Sequence, residues 1–125
     1  MGYRFWEDYG LMDTSIDKLL PLSEATYYIL LALSEPAHGY AIMQQVDAIS
    51  EGAVKIGPGT LYGAFTNLEK QGLIVMVREA ERRKIYTMTD MGRQVLLAQL
   101  RRLRVMVRVG EASAPFLSKY QGETG

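Results

Sequence analysis

The chain has 125 residues, 48% of them apolar and 22% charged, with a formal net charge of +0 and no cysteine. That composition suits one compact domain with a modest core, and it excludes wholesale disorder, a disulfide framework and any cysteine-based zinc site. No apolar run is long enough to span a membrane, and Glu7, Asp8, Asp13 and Asp17 stand where a secretory signal needs a basic start, so a cytoplasmic setting is expected.

Residues 1–21 read as an aromatic, acidic arm (Tyr3, Phe5, Trp6, Tyr9), with Leu11, Met12, Ile16, Leu19 and Leu20 suggesting a short amphipathic helix before Pro21. Ser23 suits the cap of a first core helix, in which Ala25, Ile29, Leu30 and Leu33 share one side until about Ser34, ahead of Pro36. After a turn at residues 35–39, Ile42, Met43, Val46 and Ile49 repeat at helical spacing to about Ser50, and Gly52 breaks this second helix. Pro58 suits the first turn of a third helix, where Leu61, Phe65 and Leu68 recur at i, i+4 and i+7 and Gly72 provides the left-handed stop.

Residues 73–79 and 84–88 are rich in Val, Ile, Tyr and Thr and flank Ala80-Glu81-Arg82-Arg83, the pattern of a two-stranded hairpin with a charged, glycine-free tip. Thr89 caps a long final helix from residue 90 to about 109, whose Leu96, Leu100, Leu103 and Val107 form a seam that asks for a partner. Residues 111–125 carry no periodic signal and predict a loose tail. The expected division is therefore an arm (1–21), a body (22–89), an association helix (90–110) and a tail (111–125).

The charge is unevenly spread. Residues 1–54 hold Arg4 and Lys18 against Glu7, Asp8, Asp13, Asp17, Glu24, Glu35, Asp47 and Glu51, whereas residues 78–108 hold nine basic side chains against Glu79, Glu81 and Asp90. A neutral chain polarised in this way can turn a positive face to phosphate. Helical rotation that buries Leu61, Phe65 and Leu68 turns Gly59, Gly63, Thr66 and Lys70 outward, flanked by Thr60, Tyr62 and Asn67. Small residues there allow close approach to a major groove. Thr66 and Asn67 suit base edges, and Thr60, Tyr62 and Lys70 suit phosphates. Arg82, Arg83 and Lys84 at the hairpin tip suit the DNA backbone or the minor groove.

The segments Leu22-Ser23, His38-Gly39-Tyr40-Ala41-Ile42, Pro58-Gly59-Thr60-Leu61-Tyr62, Leu68-Glu69-Lys70-Gln71-Gly72-Leu73-Ile74 and Arg82-Arg83-Lys84-Ile85-Tyr86-Thr87-Met88-Thr89, leading to Gly92, resemble the PadR family in order and interval. They span roughly residues 22–108. The resemblance implies a mainly α fold with a small β-hairpin: a winged helix-turn-helix with an extra N-terminal helix and a C-terminal dimerisation helix. It further implies a homodimeric regulator of transcription on double-stranded DNA, with repression as its sign, in which residues 22–89 bind DNA and Leu96, Leu100, Leu103 and Val107 dimerise. In short, drug-responsive members a flat apolar ligand sits between the two last helices beside a tryptophan. Here the only tryptophan is Trp6 and residues 90–109 hold no aromatic side chain, so an apolar effector pocket is expected without that stacking.

Catalysis finds no reactive constellation. His38 is the only histidine, no cysteine accompanies it to bind zinc, and the glycines of residues 57–63 match a nucleotide-binding loop only loosely. No cofactor or metal is expected. The competing reading is a winged-helix module that binds protein instead of DNA, which weak dependence of binding on salt would distinguish.

Overall fold

The computed structural model describes residues 14–124, with side chains over residues 16–118. In chain order these hold α1 (Thr14–Asp17), α2 (Glu24–Ala32), β1 (Ala37–His38), α3 (Gly39–Ile49), α4 (Pro58–Lys70), β2 (Ile74–Ala80), β3 (Arg83–Met88) and α5 (Asp90–Thr124). The aromatic arm, with Trp6, Leu11 and Met12, lies outside the described residues. The end of the expected amphipathic helix is present as α1, whose Ile16 is buried in the core.

Local chemistry sets the helix ends. Ser23 caps α2 by accepting the Thr26 N–H at 3.1 Å. Gly57 precedes α4 without any side-chain cap, and Pro58 fills the first turn, where a missing N–H costs nothing. The stop of α4 is a Schellman motif: Gly72 has φ 77°, its N–H bonds the Glu69 carbonyl at 3.0 Å, and the Leu73 N–H bonds the Leu68 carbonyl at 2.9 Å. Between α3 and α4, Ser50 accepts the Val54 N–H at 3.0 Å, and its own proton lies between the carbonyls of Asp47 and Val54. That buried hydroxyl fixes the path leading into α4.

The hairpin is as expected, with Ala80 opposite Arg83. Its turn residues Glu81 and Arg82 have φ 53° and 67°, the positive pair that a two-residue turn matched to strand twist requires, adopted here without glycine. A bulge between Met76 and Arg78 gives the hairpin extra twist. The sheet also has a third strand that periodicity could not reveal. β1 is only two residues long and pairs with β3, Ala37 opposite Tyr86 and His38 opposite Ile85.

Ile29, Leu30, Leu33, Ile42, Val46, Leu61, Leu73, Ile74 and Val95 form the fully buried centre, joined by Phe65 and Leu68. Burying a side chain of this size contributes about 2 kcal/mol, so Leu61, Phe65 and Leu68 hold the orientation of α4 far more firmly than any one surface hydrogen bond, worth about 1 kcal/mol. No helix among the described residues is long and apolar enough to cross a membrane.

Two departures concern α5. The seam residue Leu96 is buried in the subunit's own core beside Val95, and Leu100 and Leu103 are half-buried, so the stripe left open begins elsewhere, at Leu97. The helix also does not stop near residue 109. It continues through Gly110 and Pro115 to Thr124, so residues 111–124 are helical and not a loose tail. Pro115 removes one backbone N–H, but the surrounding Glu111, Ala112, Ala114 and Leu117 are strong helix formers. The periodic signal vanishes there because no core among the described residues covers the helix, not because the helix ends. The extension adds Phe116, an exposed aromatic, to a helix expected to lack one.

Gly92 marks where α5 passes closest to the body. A Cβ on it would overlap the Leu73 carbonyl oxygen and lie 2.6 Å from Met88 Cγ. Because a backbone carbonyl cannot step aside, Gly92→Ala is expected to lower stability by about 1–3 kcal/mol despite alanine's better helix propensity. Urea denaturation followed by circular dichroism checks this, and an unchanged or higher midpoint would contradict the close approach.

Candidate nucleic-acid interface

The outer face of α4 is bare. Gly59, Thr60, Tyr62, Gly63, Thr66, Asn67 and Lys70 are all exposed, while Leu61, Phe65 and Leu68 of the same helix are buried. A Cβ built on Gly59 or Gly63 would meet nothing within 4 Å, so a surface can lie directly on the helix backbone there. Thr66 Oγ1 donates to the Tyr62 carbonyl at 3.0 Å. Its donor is therefore used within the helix, and what it turns outward is a methyl group and acceptor lone pairs.

Each flank of this face borders a cleft. On one side Asn67 and Gln71 share a cavity of about 280 Å³ with Ser23 and Thr26 at the start of α2, and with Leu19 and Pro21. On the other, Tyr62 shares a smaller cleft of about 150 Å³ with His38, Gly39 and Tyr40 at the start of α3 and with Arg82, Arg83 and Lys84 of the hairpin. The fold thus brings the two sequence-predicted groups, the α4 face and the hairpin tip, to the same surface.

Four residues of that surface were not among the sequence-predicted set. Tyr40 is exposed, and its hydroxyl accepts from Gln44 Nε2 at 3.2 Å. His38 joins it as the residue that caps α3, and Ser23 and Thr26 line the opposite cleft. Reading helices for their apolar stripes overlooks polar residues at helix starts, although His38-Gly39-Tyr40 already stood out as a motif.

Electrostatics favour an anionic partner. Among the described residues ion pairs join Lys55 to Asp47 and Arg93 to Asp90, and Lys70, Arg82, Arg83 and Lys84 form none within 4.0 Å, although Glu79 stands opposite Lys84 in the hairpin. Exposed cations outside ion pairs suit phosphate. Tyr27, Leu31, Met88, Leu96, Leu97 and Leu100 line a separate apolar cleft of about 330 Å³ together with Arg93.

Comparison with known proteins agrees with this arrangement. Residues 17–98 match the model of the transcriptional regulator PadR-like family. A 37.1 kDa protein of transposon TN4556 from Streptomyces fradiae, itself uncharacterised, is 34% identical over 95 residues, covering 74% of this chain but only 27% of its own length. Among solved structures, a PadR family transcriptional regulator from Eggerthella lenta is similar with a TM-score of 0.58 and 27% identity, over 90% of this chain and 96% of that one. A transcriptional regulator from Clostridium thermocellum has a TM-score of 0.60 and 25% identity, over 71% of this chain and 90% of that one. With two thirds of its length matched, and the helix-turn-helix and its hairpin wing in place, the chain belongs to the PadR-like family of transcriptional regulators.

Proposed function

We propose that this protein represses transcription as a homodimer that lays two copies of α4 into successive major grooves of an inverted-repeat operator. The observation that carries the reading is the exposed α4 face, with Gly59 and Gly63 open beneath Thr66, Asn67 and Lys70. A helix bearing glycines outward sits close to the groove floor, where Asn67 can pair with a base edge and the Thr66 methyl can meet thymine. Thr60, Tyr62 and Lys70 hold the backbone on either side, and Arg82, Arg83 and Lys84 of the wing anchor it independently of sequence.

The proposed dimer is supported by α5. Beyond residue 103 the helix exposes Val105, Met106, Val107, Val109, Phe116 and Leu117, apolar side chains that point to several sides at once. No element among the described residues covers them, and exposed apolar side chains on several sides of a helix favour enclosure by a second chain. A second α5 laid along Leu97, Leu100, Leu103 and Val107 would cover this surface and roof the apolar cleft beside Tyr27 and Leu31. That roofed space is where we place a small apolar effector. Binding there would shift the two subunits and change the separation of the two α4 helices.

Three outcomes test this reading. Gly63→Leu should raise stability by about 0.8 kcal/mol, since leucine is the better helix former, yet weaken duplex binding more than tenfold by blocking the approach. Thermal melting and fluorescence anisotropy, run on one preparation, check both halves. Lys70→Ala should weaken binding to every duplex and reduce the salt slope by about one, whereas Asn67→Ala should change which sequences win selection from a random pool. Equal loss on all sequences for Asn67→Ala overturns its role, and affinity insensitive to salt in the wild type favours a protein partner. Leu103→Glu should leave a folded monomer in sedimentation, with operator affinity at least tenfold lower once the two half-sites are no longer joined.

A further inference from the structure

The cleft between the wing and the start of α3 contains an arrangement that DNA contact alone does not require. His38 Nδ1 lies 3.4 Å from the Ala41 N–H, which it caps, and His38 Nε2 lies 3.1 Å from Arg83 Nη1. Both neighbours can only donate, because a backbone N–H and a guanidinium have no lone pair to offer. A neutral imidazole has one acceptor nitrogen and a protonated imidazole has none. The single lone pair of His38 is therefore contested between holding down α3 and holding Arg83 against the wing, and a proton on the ring abolishes both contacts.

The surroundings set the direction. Tyr40 faces His38 from α3 and Tyr62 from α4, while Arg82, Arg83 and Lys84 face it from the wing, with no carboxylate lining the cleft. With the cleft empty, neither the Ala41 N–H nor the Arg83 guanidinium can accept a hydrogen bond from the ring. An anion seated in the cleft supplies that acceptor, so that a doubly protonated ring donates to it alongside Arg83. The cleft, about 150 Å³, has room for several waters at roughly 30 Å³ each or for a phosphate group in their place. The tyrosine hydroxyls of Tyr40 and Tyr62 add neutral donors at its wall.

We propose that this cleft is a phosphate site for the DNA backbone, and that filling it takes up a proton on His38, which frees Arg83 to grip the same phosphate. Operator occupancy is then linked to pH: acidification tightens binding and alkalinisation loosens it. Imidazole is the side chain that changes charge between about pH 5 and 8, and this chain has one histidine, so the linkage has a single address. The inference rests on the DNA-binding reading and adds proton uptake to it.

The test measures affinity for a labelled random-sequence duplex by anisotropy at constant ionic strength, from about pH 8 to about pH 5.5, for the wild type and for His38→Asn. Asparagine retains a capping acceptor but does not titrate. The wild type should tighten as pH falls, by at most about tenfold per pH unit for one proton, and His38→Asn should give a flat profile over the same range. In parallel, the imidazole C–H resonance of the wild type should show its titration midpoint move to higher pH when duplex is added. Parallel pH profiles for the two proteins, or a midpoint that duplex does not move, overturn the proposal while leaving DNA binding intact. Absence of binding at low salt at every pH overturns the DNA reading itself. Should His38→Asn fail to fold, the resonance of the wild type decides alone.

Discussion

The geometry of this molecule hangs on a junction a few residues wide, where the end of α4, the base of the wing and the start of α5 meet. The Thr89 hydroxyl donates to the Gly72 carbonyl at 2.6 Å and accepts the Gly92 N–H at 3.1 Å, and the Thr89 N–H bonds the Leu73 carbonyl at 3.0 Å. Gly92 then allows the first turn of α5 to rest on the Leu73 backbone. One threonine thus caps α5 and ties it to the stop of α4. The helix with the bare outer face and the helix that projects from the body are thereby held together at one point. A second tie lies further along, where the buried Gln99 Oε1 accepts the Leu22 N–H at 2.7 Å and fixes α5 to the approach of α2.

The same economy governs the outward surface. The Phe65 ring packs tilted against Tyr86 at 4.8 Å beneath the helix, and Tyr62 meets the Phe65 ring edge-on at 6.2 Å. Tyr62 is therefore positioned by the core although it stands in solvent, and its hydroxyl reaches the wing cleft without depending on a flexible stem. Lysine and arginine supply the charge, but rigid aromatic and helix-start groups decide where that charge is concentrated. Two tyrosines, a histidine and three cations sharing one cleft is a denser arrangement than a solvated charge run, in which long side chains spread apart to lower their repulsion.

Most of this was legible in the sequence because the signals were short-range and physical. Ser23, Pro58, Gly72 and Thr89 act where their cap and stop chemistry places them, and the i, i+4, i+7 spacing of Leu61, Phe65 and Leu68 separates the buried and bare sides of α4. What escaped was of two kinds. β1 is held by pairing with β3 across nearly fifty residues, and a two-residue strand has no period of its own. The last part of α5 faces no core, so its side chains follow no stripe, and loss of amphipathicity was mistaken for loss of helix. The cleft around His38 failed to show for a related reason. It is assembled from α3, α4 and the wing, and no local window contains all three.

The length of α5 bears on mechanism. A 35-residue helix is about 52 Å long at 1.5 Å per residue, and among the described residues only its first turns pack on the body. In the proposed dimer, the remainder acts as a lever whose root is the Thr89 and Gly92 junction and whose far end carries Phe116 and Leu117. A change of angle between two such levers is transmitted to α4 because the root does not hinge: the carbonyl of Leu73 is both a hydrogen-bond acceptor for Thr89 and the wall against which Gly92 rests. The proposed effector, lodged beside Tyr27 and Leu97, would act close to that root. A lid or a hinge loop is not needed for such control. Such control requires only that the proposed seam have more than one way to pack, and Leu97, Leu100, Leu103 and Val107 offer no polar side chain to fix one register.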